Sequence, residues 1–183
     1  IDVAYSTMLE RSRFIRNQAQ NGGGGAYVLT TALTATGCVF KENEALEGSG
    51  LYFLATEGRA AVNNSKFVGN VATRGAACLL STSDVLLESV VLERNFAEPR
   101  VGAAIATGGA LQLAEDSFLT LRNSSAVSNR ASCGGAAHVA GGSSLVAEGT
   151  RFAQNEALQG CGTATPQLIP PNMMGGGAVH LAG

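Results

Sequence analysis

One asparagine, recurring at nearly constant spacing, constrains this chain more than any other feature. Asn17, Asn43, Asn70, Asn95, Asn129 and Asn155 are separated by 26, 27, 25, 34 and 26 residues. Three residues before each stands Phe14, Phe40, Phe67, Leu92, Ala126 or Phe152, and two residues after each stands an Ala. Self-similarity at such a period is the mark of a solenoid, in which each unit buries its apolar face only by stacking on its neighbours.

Strand rather than helix follows from the periodicity. A second marker after each Asn is a Gly followed by alternating apolar positions, beginning at Gly25, Gly50, Gly75, Gly109, Gly135 and Gly177. A third segment alternates in the same way, with inward pairs Leu33/Ala35, Ala60/Val62, Val85/Leu87, Leu119/Leu121 and Leu145/Ala147. Period two means one face in and one face wet, and no useful stretch carries the i, i+3, i+4, i+7 pattern of a helix. Three short strands in a unit of this length predict an all-β chain: a parallel β-helix of about six rungs of ~26 residues. Rungs stacked at about 4.8 Å make a rod roughly 25–30 Å long.

Each recurrent residue then has an expected task. The Phe positions stack as an inner aromatic column, thinned at Leu92 and Ala126. The six Asn residues sit where the chain turns, adopt the left-handed conformation that Asn tolerates, and join amide to amide as a ladder. The marker Gly supplies positive φ at the next corner. Cys38 is expected to point inward and Cys78 outward.

Composition fits the same architecture. Gly makes up 24 of 183 residues, while charged residues are only 14 per cent and aromatic ones 5 per cent. Like charges on neighbouring rungs would repel, so a stack of near-copies keeps them few. With 45 per cent hydrophobic residues the chain is too apolar for disorder. A net charge of −2 excludes a dedicated nucleic-acid binder, and no run of about 18 apolar residues is present to insert in a membrane. The opening at Ile1 and the stop at Gly183 lead us to expect a single β-helix segment, 1–183, cut from a longer chain.

The paired signatures Phe-x-x-Asn (Phe14 to Asn17, Phe40 to Asn43, Phe67 to Asn70, Phe152 to Asn155) and Gly-Gly-Ala (from Gly24, Gly108, Gly134 and Gly176) resemble the repeats of chlamydial polymorphic outer membrane proteins. That resemblance implies a right-handed, pectin-lyase-like β-helix used as an extracellular stalk or adhesive passenger. Leu92 and Ala126 depart from the pattern, as do Gly50 and Gly75, which lack the partner Gly.

Little in the sequence points to catalysis. Carbohydrate-active β-helices need clustered carboxylates, whereas Asp2, Asp84 and Asp116 stand apart. Glu42, Glu44 and Glu47 form the densest acidic patch and read as a solvated corner. Gly22 to Gly25 lacks the Lys-Ser/Thr and the helix of a phosphate loop. Gln112, His138 and His180 fall on one repeat position; a metal or sugar site there is weighed against an outward polar ladder, and the ladder is favoured because no carboxylate or thiolate shares the column. No catalytic, cofactor or metal residue is therefore assigned.

Four features point outward instead. Cys133 and Cys161 occupy one corner a rung apart, within disulfide reach in an oxidising compartment, with two free thiols as the alternative. Asn63 and Asn123 open N-glycosylation sequons. Insertions at 99–107 and 160–174 share a corner and should leave from one edge, and in the second Leu168, Ile169, Met173 and Met174 are apolar enough for a protein contact or for folding back over a rung. Open solenoid ends need covering by other chains or by the remainder of this one. The expected function is a non-catalytic stalk, filament component or interaction scaffold at the cell surface or outside it, with protein partners and glycans. The alternative is a fragment of a carbohydrate-active enzyme whose catalytic residues lie outside this segment.

Overall fold

The computed structural model describes residues 6–56, 58–99, 105–158 and 179–181. They form an all-β parallel solenoid of six turns. The first sheet stacks β1 (Ser6–Glu10), β4 (Ala32–Thr36), β7 (Arg59–Asn63), β11 (Asp84–Glu88), β15 (Phe118–Arg122) and β19 (Ser144–Glu148). The second stacks β2 (Arg13–Ile15), β5 (Val39–Lys41), β8 (Lys66–Val68), β12 (Val91–Glu93), β16 (Ser125–Val127) and β20 (Arg151–Ala153). A further six-stranded sheet, here called the outer-column sheet, holds β3 (Ala26–Leu29), β6 (Leu51–Leu54), β10 (Cys78–Ser81), β14 (Leu111–Ala114), β18 (Ala137–Val139) and β22 (Val179–Leu181).

Three strands per turn is one too few. A short sheet follows the Asn corner: β9 (Val71–Ala72), β13 (Phe96–Ala97), β17 (Arg130–Ala131) and β21 (Glu156–Ala157). Single parallel bridges extend it back to Gln18 and Glu44. Two residues are too few to show alternation, yet their backbone groups still pair with the turns on either side.

Inside, the expected columns form. Phe14 stacks on Phe40 at 4.9 Å between ring centroids and Phe40 on Phe67 at 4.7 Å, the rings within 7° of parallel. Leu92, Ala126 and Phe152 continue that column by strand register. The pairs Leu33/Ala35 through Leu119/Leu121 are buried and face one core.

The Asn residues form a ladder, by a different local geometry from that expected. The left-handed residue is the one before each Asn: Arg16, Glu42, Gly69, Arg94, Ser128 and Gln154 all have φ between 52° and 64°... and none of the six Asn does. Turning the backbone one residue early aims the amide along the stack. Each Nδ2 from Asn17 to Asn129 donates to Oδ1 of the Asn one turn ahead, at 2.9–3.0 Å. From Asn43 onward each also donates to a main-chain carbonyl one turn behind. Buried amides are thereby satisfied without water.

The glycine expectation needs correcting too. Positive φ falls at Gly23, Gly48, Gly75, Gly108 and Gly134, so of the marker glycines among the described residues only Gly75 has it. Gly25 and Gly50 are needed for space: a Cβ on Gly25 would sit 2.5 Å from the Gly50 carbonyl oxygen and 3.0 Å from the Phe40 ring. Ala77, Ala110 and Ala136 take that place in the next three turns.

Candidate functional site

Outward side chains of the outer-column sheet form one continuous file. Strand register stacks Tyr27, Tyr52, Leu79, Gln112, His138 and His180 on successive turns. Tyr27 and Tyr52 meet edge to face, with centroids 5.0 Å apart. Leu79 and Gln112 are buried although they point away from the core. Cys78, expected outward, is instead on the inner face between Leu51 and Leu111, because Leu79 is the residue in register with Gln112. Burial pushes the Cys78 thiol far above its ordinary pKa.

Midway along this face lies a groove of about 310 Å³, lined by Glu47, Tyr52, Leu54, Arg74, Leu79, Ser81, Gln112, Ala114 and Glu115. Glu47 is paired to Arg74, and the Ser81 hydroxyl donates to Glu115. Burial, then the Glu47 charge, pushes the Tyr52 phenol up to about 12, so it is a neutral hydrogen-bonding group. Gln112 donates to the Leu113 carbonyl at 3.1 Å, which leaves its buried Oε1 unpartnered.

Further along the file, His138 and His180 lie ring over ring, with centroids 5.0 Å apart and planes within 13°. Burial, then the neighbouring His180, pushes the His138 pKa down to about 4; burial also lowers that of His180. Each buried Nδ1 has no hydrogen-bond partner. The polar column is as expected; the isolation of the pair from sulfur is not. Ligand atoms of Cys133, His138 and His180 lie within 4.8 Å of one another. Cys133 closes the preceding corner in register with Thr107, Arg74 and Glu47, and that corner residue reaches the side of the strand on which the histidines stand. A separation of five residues across a bend hid the contact from the sequence.

Cys38 and Cys78 are buried free thiols. Cys133 is buried and is not among them. Its expected partner Cys161 lies outside the described residues, as do Leu168, Ile169, Met173, Met174 and the whole 160–174 insertion. At the end of the first insertion, the amide of Ala106 donates to the Ser132 hydroxyl and Thr107 bridges Arg74 and Cys133.

Charges also follow the register. Arg16–Glu42, Glu47–Arg74, Arg59–Asp84, Arg122–Glu148 and Arg130–Glu156 each join equivalent positions on adjacent turns. Glu42, Glu44 and Glu47 therefore each have a donor or cation on a neighbouring turn. The Arg16 and Lys41 hydrogen bonds hold the Glu42 carboxyl below its usual range. Asn63 is half-buried at the end of β7, and Asn123 is exposed with φ 46° at the same corner two turns on. In the first sequon the Ser65 hydroxyl bonds the Asn63 carbonyl and the Cys38 amide.

Comparison with protein-family models, curated proteins and solved structures finds no match to this chain. The class the fold defines is thus a parallel β-solenoid. Among the described residues no helix is long and apolar enough to cross a membrane.

Proposed function

We propose that this chain is a non-catalytic, rigid segment of an extracellular or cell-surface protein, serving as stalk, filament component or interaction scaffold. The observation that carries this reading is the Asn ladder: Asn43, Asn70, Asn95 and Asn129 are fully buried and bonded to the turns on both sides. Polar side chains committed to neighbouring turns add stiffness, and none of them is left over for substrate. The repeats' resemblance to polymorphic outer membrane proteins supports a surface role. A Cys133–Cys161 bridge and glycans on Asn63 and Asn123 belong to the same proposal, since both accompany export. Protein partners are assigned to the apolar 160–174 insertion through Leu168, Ile169, Met173 and Met174, and to the solenoid ends.

Glycans are the second partner class. The groove at Tyr52 favours them, for it combines an aromatic side chain, apolar walls, a paired Glu47 and the unpartnered Gln112 Oε1. The enzyme alternative is separated by assay. Incubated with a panel of acidic and neutral polysaccharides, the chain should release neither reducing ends nor unsaturated sugars, and should retain its shape in solution scattering as a short stiff rod. Turnover of any polysaccharide, abolished by substituting residues of this chain, would replace the stalk reading with the enzyme. Non-reducing peptide mapping tests the bridge: a Cys133–Cys161 linked peptide is expected, and full alkylation of both thiols without reductant excludes it.

A further inference from the structure

We propose that His138 and His180 form a binding site for a borderline-soft divalent transition metal such as Zn²⁺. Three of the buried polar atoms without a partner lie on consecutive turns of one outward file: Gln112 Oε1, His138 Nδ1 and His180 Nδ1. Elsewhere on the solenoid, turn-to-turn stacking satisfies the buried Asn and Ser ladders, although the Thr56 and Thr73 hydroxyls also stand without a partner. Here it does not, because two imidazoles stacked ring over ring have no hydrogen bond to exchange through Nδ1. A cation resolves what stacking leaves open.

The chemistry selects the ion. Each imidazole carries a ring nitrogen with a lone pair to give, and each Nδ1 is buried without a partner. Nitrogens sharing a tetrahedral ion at ~2.1 Å stand about 3.4 Å apart. To share one ion the two rings must tilt out of their near-parallel stack so that their in-plane lone pairs converge, starting from ligand atoms of Cys133, His138 and His180 that lie within 4.8 Å of one another. Cys133 is not a free thiol, so the imidazoles carry the site and its sulfur is a soft, polarisable neighbour. Water fills the remaining positions, and Gln112 Oε1, one turn earlier, accepts a hydrogen bond from a metal-bound water. Imidazole suits Zn²⁺, Ni²⁺ and Cu²⁺; no carboxylate is present among these groups to favour Ca²⁺ or Mg²⁺.

The test is calorimetric titration of the full chain with Zn²⁺, with Mg²⁺ in parallel. One equivalent of Zn²⁺ should bind saturably and Mg²⁺ should not. His138→Gln and His180→Gln should each weaken Zn²⁺ binding by about tenfold or more. Gln is the chosen replacement because Gln112 already occupies this column. A second measurement needs no variant: on Zn²⁺ addition the imidazole ¹⁵N resonances of both histidines in the native chain should shift together, and EDTA should reverse the shift. Absence of saturable binding, an affinity in either variant unchanged from that of the native chain, or a shift in neither imidazole overturns the site.

Discussion

Asn70 and Asn95 share two hydrogen bonds across one turn of the solenoid: the amide N and Nδ2 of Asn70 both donate to Asn95 Oδ1, at 3.1 and 2.9 Å. The Oδ1 of Asn70 in turn accepts the same pair from Asn43, and its Nδ2 reaches back to the Phe40 carbonyl at 3.0 Å. Every polar atom of that buried side chain is engaged.

Removing it strands its partners. Asn70→Ala leaves Asn43 donors and the Phe40 carbonyl without their bonds, at about 1–3 kcal/mol per buried group, so we expect a loss of about 3–5 kcal/mol in equilibrium urea unfolding. Asn17→Ala, at an exposed position whose side chain bonds Asn43 alone, should cost roughly 1 kcal/mol. Equal costs at the two positions would argue that the ladder contributes nothing beyond local turn geometry.

The aromatic column predicts an asymmetry between two substitutions of one residue. Phe67 is fully buried, stacked on Phe40 and followed in register by Leu92. Phe67→Leu repeats a side chain the column already holds and should cost about 1–1.5 kcal/mol. Phe67→Ala opens a cavity between turns and should cost about 3–5 kcal/mol. Thermal unfolding of both variants beside the parent chain measures the difference.

Arg122 and Glu148 sit opposite each other on β15 and β19, with Nε 2.6 Å from Oε2. Arg122→Glu stacks like charges and should lower stability by about 0.5–1 kcal/mol, the modest scale of an exposed pair. Adding Glu148→Arg should restore most of it. The deficit of the single variant should shrink in about 1 M salt, where screening is short-ranged; a deficit indifferent to salt and to the second substitution would rule out charge as its cause.

Cys38 and Cys78 are both wholly buried, and the Cys38 thiol donates to the Leu9 and Thr36 carbonyls. Only the thiolate reacts readily, and burial disfavours it at Cys78, while both sulfurs are closed off from a reagent. Neither should be modified by an aromatic disulfide reagent in the folded chain, and both should react at once in denaturant. Rapid labelling of Cys78 under native conditions would contradict its inward placement.

How much of this was legible depends on side-chain chemistry more than on backbone geometry. Asn and Phe were readable because each keeps one identity, or one size class, through the turns. The glycine corner was misaligned by up to two residues because Gly22 to Gly25 offers several equivalent starts, and because Ala77, Ala110 and Ala136 replace Gly at the same position in later turns. Counting from Gly75 then turned Cys78 outward, whereas pairing of Leu79 with Gln112 turns it in. The left-handed residues before the Asn were invisible for a related reason: Arg, Glu, Gly, Ser and Gln all serve there, so composition carries no mark of the strain. Contacts across a corner, such as Cys133 with the two histidines, follow only once the bend is placed.

Because each Asn side chain bonds only to its counterparts and to main-chain carbonyls, whole turns are interchangeable. Excising the 27 residues from Asn43 to Gly69 would bring Asn17 against Asn70 and leave each amide a chemically identical neighbour. Such a molecule can lengthen or shorten by duplication and deletion of complete turns. Its length is thereby free to evolve without any change in the contacts that hold one turn to the next.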